Sequence, residues 1–247
     1  KALDTNLFSI HIRHRLQHFR PRTENAFKSL GVGKILEKRM NLKSSLYEIT
    51  EADEEILSQC ADMGLGYIIP GKEVVISEIL DESKTQKYMK LIPEQLYGPP
   101  EVCYPKEFSE IPGVLKTAYG KGFGIYVPWL VGTFYYEQGQ ENTFTFMKDL
   151  LLNVCGVVSI SKNTTPMCEI TVHKNEKHTL IQLINTTGCF ANSFFEPVPL
   201  YQISLDWNFK EGSKVKALNG GNVTWNQGKL VLDCLNVYEA IVIENEE

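Results

Sequence analysis

The sequence predicts an α/β domain followed by an all-β domain, and three observations support this prediction. A short apolar run, Gly124 to Val127, is suited to a buried strand of an α/β sheet. A helical pattern of apolar residues begins at Asn142 and ends at Gly156. Beyond Gly156 the helical period disappears, and short β-rich runs alternate with turn residues. We expect the first domain to cover residues 1–160 and the second to cover residues 161–247.

Capping residues predict the short elements near the start of the first domain. A helix is expected from Thr23 to Leu30, with Gly31 as its end. A strand is expected at Ser45 to Ile49. The following Thr50-Glu51-Ala52-Asp53 has the pattern of a capping box, which would open an acidic helix that runs to about Gln59.

Two turns are predicted from glycine-containing segments. Pro70-Gly71 separates two strand-like runs, Gly66 to Ile69 and Glu73 to Ile76, and therefore predicts a hairpin. The glycines of Gly120-Lys121-Gly122-Phe123-Gly124 precede a strand. A dinucleotide-binding loop needs its glycines after a strand and at the start of a helix. We therefore interpret this segment as a tight turn that enters a strand.

Seven β-rich runs predict an antiparallel sandwich in the second domain. They are Cys168 to Val172, Thr179 to Ile184, Gln202 to Trp207, Val215 to Leu218, Asn222 to Trp225, Lys229 to Leu232 and Val237 to Ile243. Turn residues such as Thr187-Gly188 and Asn219-Gly220 separate several of them. Short, evenly spaced strands with such turns are typical of a sandwich, and Trp207 and Trp225 would pack into its core.

Composition and charge narrow the classes of function. The chain has 247 residues, a net charge of −5 and a pI near 5.7, which argues against a dedicated nucleic-acid-binding protein. No apolar run is long enough to suggest a membrane span. None of the six cysteines forms a CxxC pair, so neither a zinc ribbon nor a thioredoxin-type redox site is indicated. Buried thiols are a better interpretation than disulfides. We expect no cofactor.

Catalytic groups can be considered for two chemistries. Glycoside hydrolysis needs two carboxyl groups that flank the scissile bond, and the candidates in rigid, aromatic surroundings are Glu101 and Glu196. Nothing pairs them, and a structural role is favoured for each. An amidotransferase needs a nucleophilic cysteine at a strand–helix elbow, which neither Cys103 in a proline-rich loop nor Cys155 at a helix end provides.

The N-terminal segment, residues 1–22, carries three histidines at helical spacing. On a helix, His11, His14 and His18 would share one face and could bind a metal. Four arginines crowd the same segment, so a solvated or partner-covered helix is favoured over a metal site. We expect the segment to lack a covering partner and to be loosely held.

Two motifs resemble a known family. They are Leu96-Tyr97-Gly98-Pro99-Pro100-Glu101-Val102-Cys103-Tyr104 and Gly120-Lys121-Gly122-Phe123-Gly124-Ile125-Tyr126-Val127-Pro128-Trp129. This pair resembles the amidotransferase-like, flavodoxin-like α/β domain that follows the catalytic barrel in bacterial glycoside hydrolases related to β-galactosidases with a trimerisation domain. The resemblance runs from about Phe27 to the C-terminus and includes Asn185 to Pro197.

The resemblance implies an accessory function. The chain opens on Lys1, and we expect it to be the non-catalytic C-terminal portion of a carbohydrate-active glycoside hydrolase, bacterial and cytoplasmic or periplasmic. Its expected partners are the catalytic barrel of the parent enzyme, further copies in a homo-oligomer, and the carbohydrate substrate. Nucleic acid and membrane are not expected. The alternatives are a stand-alone carbohydrate-binding or interaction module and an independent enzyme that uses Glu101 or Glu196.

Three residues are the candidates for substrate or subunit contact. Pro99 and Pro100 stiffen the loop that carries Tyr97 and Glu101. Trp129 follows Pro128 at the end of a strand, where open α/β sheets place their functional edge. We predict that Tyr97, Glu101 and Trp129 lie near one another and line a cleft wall or contact face. In the alternative, Trp129 is a core residue that the loop covers.

Overall fold

The structure of the chain is a computed structural model that describes residues 8–12, 27–94, 98–99, 109–190, 192–206, 213–227 and 229–244. The chain divides into two compact units, Lys1–Val157 (unit 1) and Val158–Glu247 (unit 2). The described residues are mostly β-strands in several sheets, and all three described α-helices belong to unit 1. No described helix has the length and apolar character that a membrane span requires.

Unit 1 contains eight described strands and three α-helices. The strands are β1 (Phe8–Ile12), β2 (Val32–Met40), β3 (Leu46–Glu48), β4 (Tyr67–Ile68), β5 (Glu73–Ile79), β6 (Thr85–Ile92), β7 (Pro112–Tyr119) and β8 (Gly122–Val127). The helices are α1 (Ser58–Asp62), α2 (Val131–Gln138) and α3 (Glu141–Asp149). A π-helix, Leu150–Val154, continues α3, and short 3-10 turns lie at Lys28–Leu30, Glu51–Asp53 and Glu82–Lys84.

The main sheet of unit 1 has the strand order β1-β8-β7-β6-β3-β4. The pair β1–β8 is parallel, and the other described pairs of this sheet are antiparallel. A separate ladder joins β2 to β5 with two irregularities in its register. Because β8, β6 and β4 run in one direction and β7 and β3 in the other, β8 ends at the edge where β7 begins.

The two faces of this sheet are covered by different elements. Val114 and Leu115 are neighbours in β7 and therefore point to opposite faces. Val114 belongs to the larger core, which the helices α1 and α3 cover with residues such as Phe146. Leu115 packs on the other face against Leu30 and Val32. The sheet is thus enclosed on both sides.

Several predicted elements of unit 1 are confirmed. The strand predicted at Ser45 to Ile49 is β3, and the capping box joins Thr50 to Asp53, although the predicted helix is divided into a 3-10 turn and α1. The end of the first described 3-10 turn is Gly31, whose φ is 72°. The helix predicted from Asn142 corresponds to α3 and its π continuation, before Gly156 at φ 64°.

Two predictions for unit 1 are wrong. The runs on either side of Pro70-Gly71 do not form a hairpin, because β4 pairs with β3 whereas β5 pairs with β2. The N-terminal segment is not a helix at His11, which lies in strand β1 and so has β8 as a pairing partner. Sequence spacing cannot show this partner, since β1 and β8 are more than 100 residues apart in the chain. His14 and His18 lie outside the described residues.

Unit 2 consists of short antiparallel strands around an aliphatic core. They are β9 (Cys168–Lys174), β10 (His178–Asn185), β11 (Cys189–Phe190), β12 (Ser193–Phe194), β13 (Leu200–Leu205), β14 (Val215–Ala217), β15 (Val223–Asn226), β16 (Lys229–Leu235) and β17 (Tyr238–Glu244). One sheet has the order β14-β17-β10-β9 and the other β13-β16-β15. All seven predicted runs are strands, and the hairpin β11–β12 is an element that the sequence analysis did not predict.

The two sheets of unit 2 share one core. Residues of β10 and β17, such as Ile181 and Ile241, pack with residues of β13 and β16, such as Leu205 and Leu232. The alternation of buried and exposed side chains along β10 is the pattern expected for a sheet with one face in the core. Trp225 is half-buried against this core, and Trp207 lies outside the described residues.

Candidate functional site

Trp129 is placed at the carboxyl end of β8 and is fully buried. Its exposed fraction is 0%. The indole ring lies 5.9 Å from the ring of Tyr47 and 5.3 Å from the ring of Phe146, measured between ring centroids. Its Nε1–H donates a hydrogen bond to the carbonyl oxygen of Gly113 at 3.3 Å. Trp129 therefore joins β3, β7 and α3, and it contributes no exposed surface of its own.

The edge of the sheet at Trp129 is also where the proline-rich loop is attached. β6 ends at Ile92 and β7 begins at Pro112, so the intervening segment leaves and re-enters the sheet at the end where β8 stops. Near the C-terminal end of this segment, the backbone N–H of Ser109 donates a hydrogen bond to the carbonyl oxygen of Leu91 at 3.2 Å. Tyr97 and Glu101 belong to this segment and lie outside the described residues.

The interior behind this edge is tightly built. A Cβ atom added to Gly113 would lie 2.8 Å from the Tyr47 ring, so a glycine is needed there. Met89 has a φ of 61°, which is strained for a residue with a side chain, and its N–H donates to Asp53 Oδ1 at 3.0 Å. Burial raises the pKa of the Tyr47 phenol, and Tyr126 adds to this effect. The Tyr47 hydroxyl has no hydrogen-bond partner among the described residues.

The buried carboxylates are held by backbone N–H groups of the chain itself. Asp149 accepts from the backbone N–H groups of Gln59 at 3.2 Å and Cys60 at 3.0 Å, and from the side-chain amide of Asn153 at 3.1 Å. Asp149 is completely buried. Its carboxylate fixes the start of α1 against α3, and it cannot reach a substrate.

Glu239 is the corresponding buried carboxylate of unit 2. One oxygen accepts from the N–H of Asn219 at 2.9 Å, and the other accepts from the N–H of Gly221 at 2.8 Å. Further donors are the N–H groups of Leu218 and Ala240. Glu239 thus holds the turn between β14 and β15. A carboxylate saturated in this way is a structural anchor and not a general acid or base.

The thiols of Cys60 and Cys155 lie in surroundings that make them poor nucleophiles. Burial, together with the neighbouring Asp149, raises the pKa of the Cys60 thiol to about 12. Burial also raises the pKa of Cys155. Since the thiolate is the nucleophilic form, neither cysteine suits covalent catalysis near neutral pH. Cys103 lies outside the described residues. The described part of the chain contains no cluster of residues that could hold a metal ion.

A group of highly exposed aromatic residues lies in unit 2. We define the apolar hairpin surface as Phe190, Phe194, Phe195, Val198 and Tyr201. Their exposed fractions lie between 66% and 83%. Glu196, one of the two candidate carboxylates, is exposed beside them. The aromatic surroundings of Glu196 are evident in the sequence, but this surface was not predicted from them. The run Phe194-Phe195 next to Pro197 is the signal that could have indicated it.

The backbone beneath this surface is fixed by side-chain hydrogen bonds. The Asn185 amide is buried and donates to the carbonyl oxygens of Val198 at 2.8 Å and Asn236 at 2.7 Å. The Thr187 hydroxyl accepts from the N–H of Val198 at 2.8 Å. The segment from Phe195 to Val198 is therefore held alongside residues 185–188.

A shallow groove is present at the opposite end of the main sheet of unit 1. It has a volume of about 400 Å³, and its lining includes Lys84, Lys116 and Phe123. The Lys116 ammonium lies 4.9 Å from the centroid of the Phe123 ring, and Lys84 forms an ion pair with Asp81 at 2.8 Å. The two cations are thus engaged by groups of unit 1.

Solved structures with a similar fold are β-galactosidases. The β-galactosidase from Bacillus circulans sp. alkalophilus matches with a TM-score of 0.50 and 13% sequence identity, over 89% of this chain and 25% of that chain. Gan42B, a GH42 β-galactosidase, matches with a TM-score of 0.47 and 12% identity, over 89% and 24% of the two chains. The β-galactosidase from Rahnella sp. R3 gives 0.44 and 12%, over 88% and 24%.

This chain therefore spans about a quarter of the length of the β-galactosidases that it matches. At 13% identity the likeness to the B. circulans β-galactosidase shows a shared fold alone. No protein-family model and no curated protein sequence matches the chain.

Proposed function

We propose that this chain is the non-catalytic C-terminal portion of a carbohydrate-active glycoside hydrolase. In this proposal unit 1 is the amidotransferase-like, trimerisation-type α/β domain and unit 2 is the C-terminal β-sandwich. The chain supports oligomerisation and shapes the substrate cleft of a catalytic barrel.

One observation carries the proposal. The fold of 89% of this chain matches a quarter of the B. circulans β-galactosidase at a TM-score of 0.50. A part of that size leaves most of the longer protein for other domains, among which a catalytic domain must be found. The environment of the buried carboxylates agrees with an accessory role, because Asp53, Asp149 and Glu239 all bind backbone N–H groups.

Activity measurements on the purified chain test the proposal. Incubation with a panel of aryl glycosides should release no product above the buffer control, since a glycosidase needs a pair of carboxyl groups at an open cleft. Turnover that disappears in Glu101→Gln or Glu196→Gln would show an independent enzyme. An in-frame barrel of roughly 250 residues upstream of Lys1 in the gene would support the proposal directly.

The proline-rich loop is the part of unit 1 that we propose as the contact face. Tyr97 and Glu101 would meet the substrate cleft or a neighbouring subunit, and Trp129 would support the loop from the core. Attachment of the loop beside Trp129 supports this arrangement. In the full-length parent, Glu101→Ala should reduce sugar turnover or oligomer formation at an unchanged melting temperature. A loss of stability with full activity per folded molecule would leave only a covering role.

The second candidate function is a stand-alone carbohydrate-binding or interaction module. The exposed aromatic rings of the apolar hairpin surface favour it, because aromatic rings can stack on the apolar faces of sugars. Isothermal titration of the purified chain with galactose and a β-galactan distinguishes the two functions. Binding that is lost in Phe194→Ala would support the module.

A further inference from the structure

The sequence contains a single Asn-Gly pair, Asn219-Gly220, which lies in the turn between β14 and β15. Both residues are exposed. Asparagine is a chemically labile residue, because the backbone nitrogen of the next residue can attack its side-chain carbonyl carbon. A following glycine favours this attack, since glycine has no side chain to hinder its own nitrogen and restricts the backbone least.

The hydrogen bonds of Glu239 leave the nitrogen of Gly220 unengaged. The Glu239 carboxylate accepts from the N–H groups of Leu218 at 3.1 Å, Asn219 at 2.9 Å and Gly221 at 2.8 Å. The N–H of Gly220 lies within this run and has no hydrogen bond to any described residue. The nitrogen that would attack Asn219 is therefore not held by a partner in the described part of the chain.

The side-chain amide of Asn219 is also weakly held. Its Nδ2 donates to the carbonyl oxygen of Tyr238 at 3.4 Å, which is longer than the usual distance of about 2.7–3.2 Å. Two other asparagines of unit 2 are held more firmly. The Asn185 amide is buried and donates to three carbonyl oxygens, and the Asn222 amide donates to the carboxylate of Asp233.

We propose that Asn219 is a site of spontaneous deamidation and that the loss of its amide weakens the turn held by Glu239. The nitrogen of Gly220 forms a bond to the side-chain carbonyl carbon of Asn219, and the amide nitrogen of the side chain leaves as ammonia together with the proton of the attacking nitrogen. Water then opens the resulting succinimide ring at either of its two carbonyl groups, which gives an aspartate or an isoaspartate. Solvent water is the only co-reactant.

The products place a negative charge beside a buried carboxylate. The backbone nitrogen of Asn219 lies 2.9 Å from Glu239, so a charged side chain on residue 219 becomes a near neighbour of that carboxylate. Glu239 is 3% exposed, and water screens the repulsion between two like charges weakly at a buried site. An isoaspartate also adds a carbon atom to the main chain between the N–H groups that Glu239 binds. Both products should therefore weaken the turn.

Peptide mapping by mass spectrometry, after incubation of the purified chain at physiological temperature, tests the chemistry. Trypsin releases residues 217–229 as one peptide, which contains both Asn219 and Asn222. Asn222 is the internal control, because the β-branched Val223 follows it and hinders attack. Conversion of the amide to a carboxyl group at Asn219 should exceed conversion at Asn222 by about tenfold or more.

The same chain kept unfolded in guanidinium chloride gives the rate for the unrestrained sequence. Conversion at Asn219 should be measurable in the folded chain over the same period. Conversion in the unfolded chain alone would overturn the inference, since the folded turn would then protect the amide. Equal conversion at Asn219 and Asn222 in the folded chain, or no conversion at either, would overturn it as well.

Two variants test the effect on the turn. Asn219→Asp introduces the product charge directly and should lower the melting temperature by about 2–4 °C, the shift expected for the loss of one modest interaction in a chain of this length. Asn219→Ser removes the amide without adding a charge, so its melting temperature should not change during incubation, whereas that of wild type should fall. A wild-type melting temperature for Asn219→Asp would overturn the weakening of the turn. The inference concerns the chemistry of unit 2 alone, and each of these outcomes leaves the proposed function to its own assays.

Discussion

The two units differ in whether aromatic rings enter the buried core. In unit 1 Tyr47, Trp129 and Phe146 form one contiguous buried cluster, although other rings such as that of Tyr136 are exposed. In unit 2 the buried core is aliphatic apart from Cys168, and the rings of Phe190 and Phe194 are on the surface. In unit 1 the buried aromatic rings stabilise the fold, because each of them removes a large apolar area from water.

This difference predicts different effects of aromatic substitutions in the two units. The aliphatic strands of unit 2 fill the space between two sheets without help from the rings, so the exposed rings contribute little to its stability. Removing a ring should therefore leave the stability of unit 2 nearly unchanged. In unit 1 the same change should lower stability.

The largest expected effect is that of Trp129→Ala. The variant should lose about 3–5 kcal/mol of unfolding free energy, because truncation of a buried tryptophan leaves a cavity and removes the hydrogen bond to Gly113. Urea unfolding followed by far-UV circular dichroism measures the loss. Phe194→Ala in unit 2 is the contrast, and its unfolding free energy should remain within about 0.5 kcal/mol of wild type.

Equal losses in these two variants would contradict the comparison. They would mean that the exposed phenylalanine contributes to the fold as the buried tryptophan does. A small loss in Trp129→Ala alone would show that the cavity closes by rearrangement of Tyr47 and Phe146.

A smaller effect, about 3 kcal/mol, is expected for Asp149→Ala, because it leaves the N–H groups of Gln59 and Cys60 buried without their charged acceptor. Glu239→Ala should have a comparable cost in unit 2, since it removes the acceptor of the turn at Asn219 and Gly221. Buried carboxylates would then contribute about equally to the stability of the two units, whereas the substituted aromatic residues would not. Melting temperatures of the two variants, with Glu137→Ala on α2 as an exposed control, provide the measurement. A shift confined to one variant would contradict this agreement.

The sequence predicted local elements well because their causes are local. The capping box joins residues three apart, Thr50 and Asp53, and the seven predicted strands of unit 2 follow from alternation and turn residues. The helix predicted from Asn142 is present for the same reason. The pairing at Pro70-Gly71 was predicted wrongly because β5 finds its partner in β2, some 40 residues earlier.

The candidate site was less accessible to prediction. The burial of Trp129 depends on Phe146 and Tyr47, which reach it only in the folded chain. The carboxylate of Asp149 meets the start of α1 about 90 residues away. No sequence spacing encodes such contacts. The exposure of the rings in unit 2 could not be predicted either, because it depends on which face of the two-residue strands β11 and β12 is covered in the folded chain.

Tyr47→Phe should change stability in the opposite direction to the preceding variants. The phenol hydroxyl is buried and has no hydrogen-bond partner among the described residues, so its removal should stabilise unit 1 by about 1 kcal/mol. Urea unfolding detects the change, and Tyr201→Phe on the exposed surface of unit 2 should have no measurable effect. Destabilisation by Tyr47→Phe would reveal a partner for this hydroxyl and would make it part of a polar site.

The smallest effect is expected for substitution of Cys60. It appears at alkaline pH, as a change in how the unfolding free energy depends on pH. Burial and Asp149 raise the pKa of this thiol from 9.0 to about 12 in the folded chain. A group whose pKa is raised on folding stabilises the folded state fully below the unfolded pKa, and this contribution is lost as the pH rises toward the folded pKa. The unfolding free energy of wild type should therefore fall between about pH 9 and pH 12, and Cys60→Ala should show a shallower slope over the same range.

Urea unfolding at a series of pH values measures the slope, which is independent of the constant loss of packing caused by the substitution. Val74→Ala, in the same buried core, is the matched control: it removes packing without removing a titratable group and should keep the wild-type slope. Identical slopes in wild type and Cys60→Ala would show that Cys60 is ionised as easily in the folded chain as in the unfolded one, and would reopen the question of a reactive thiol in unit 1.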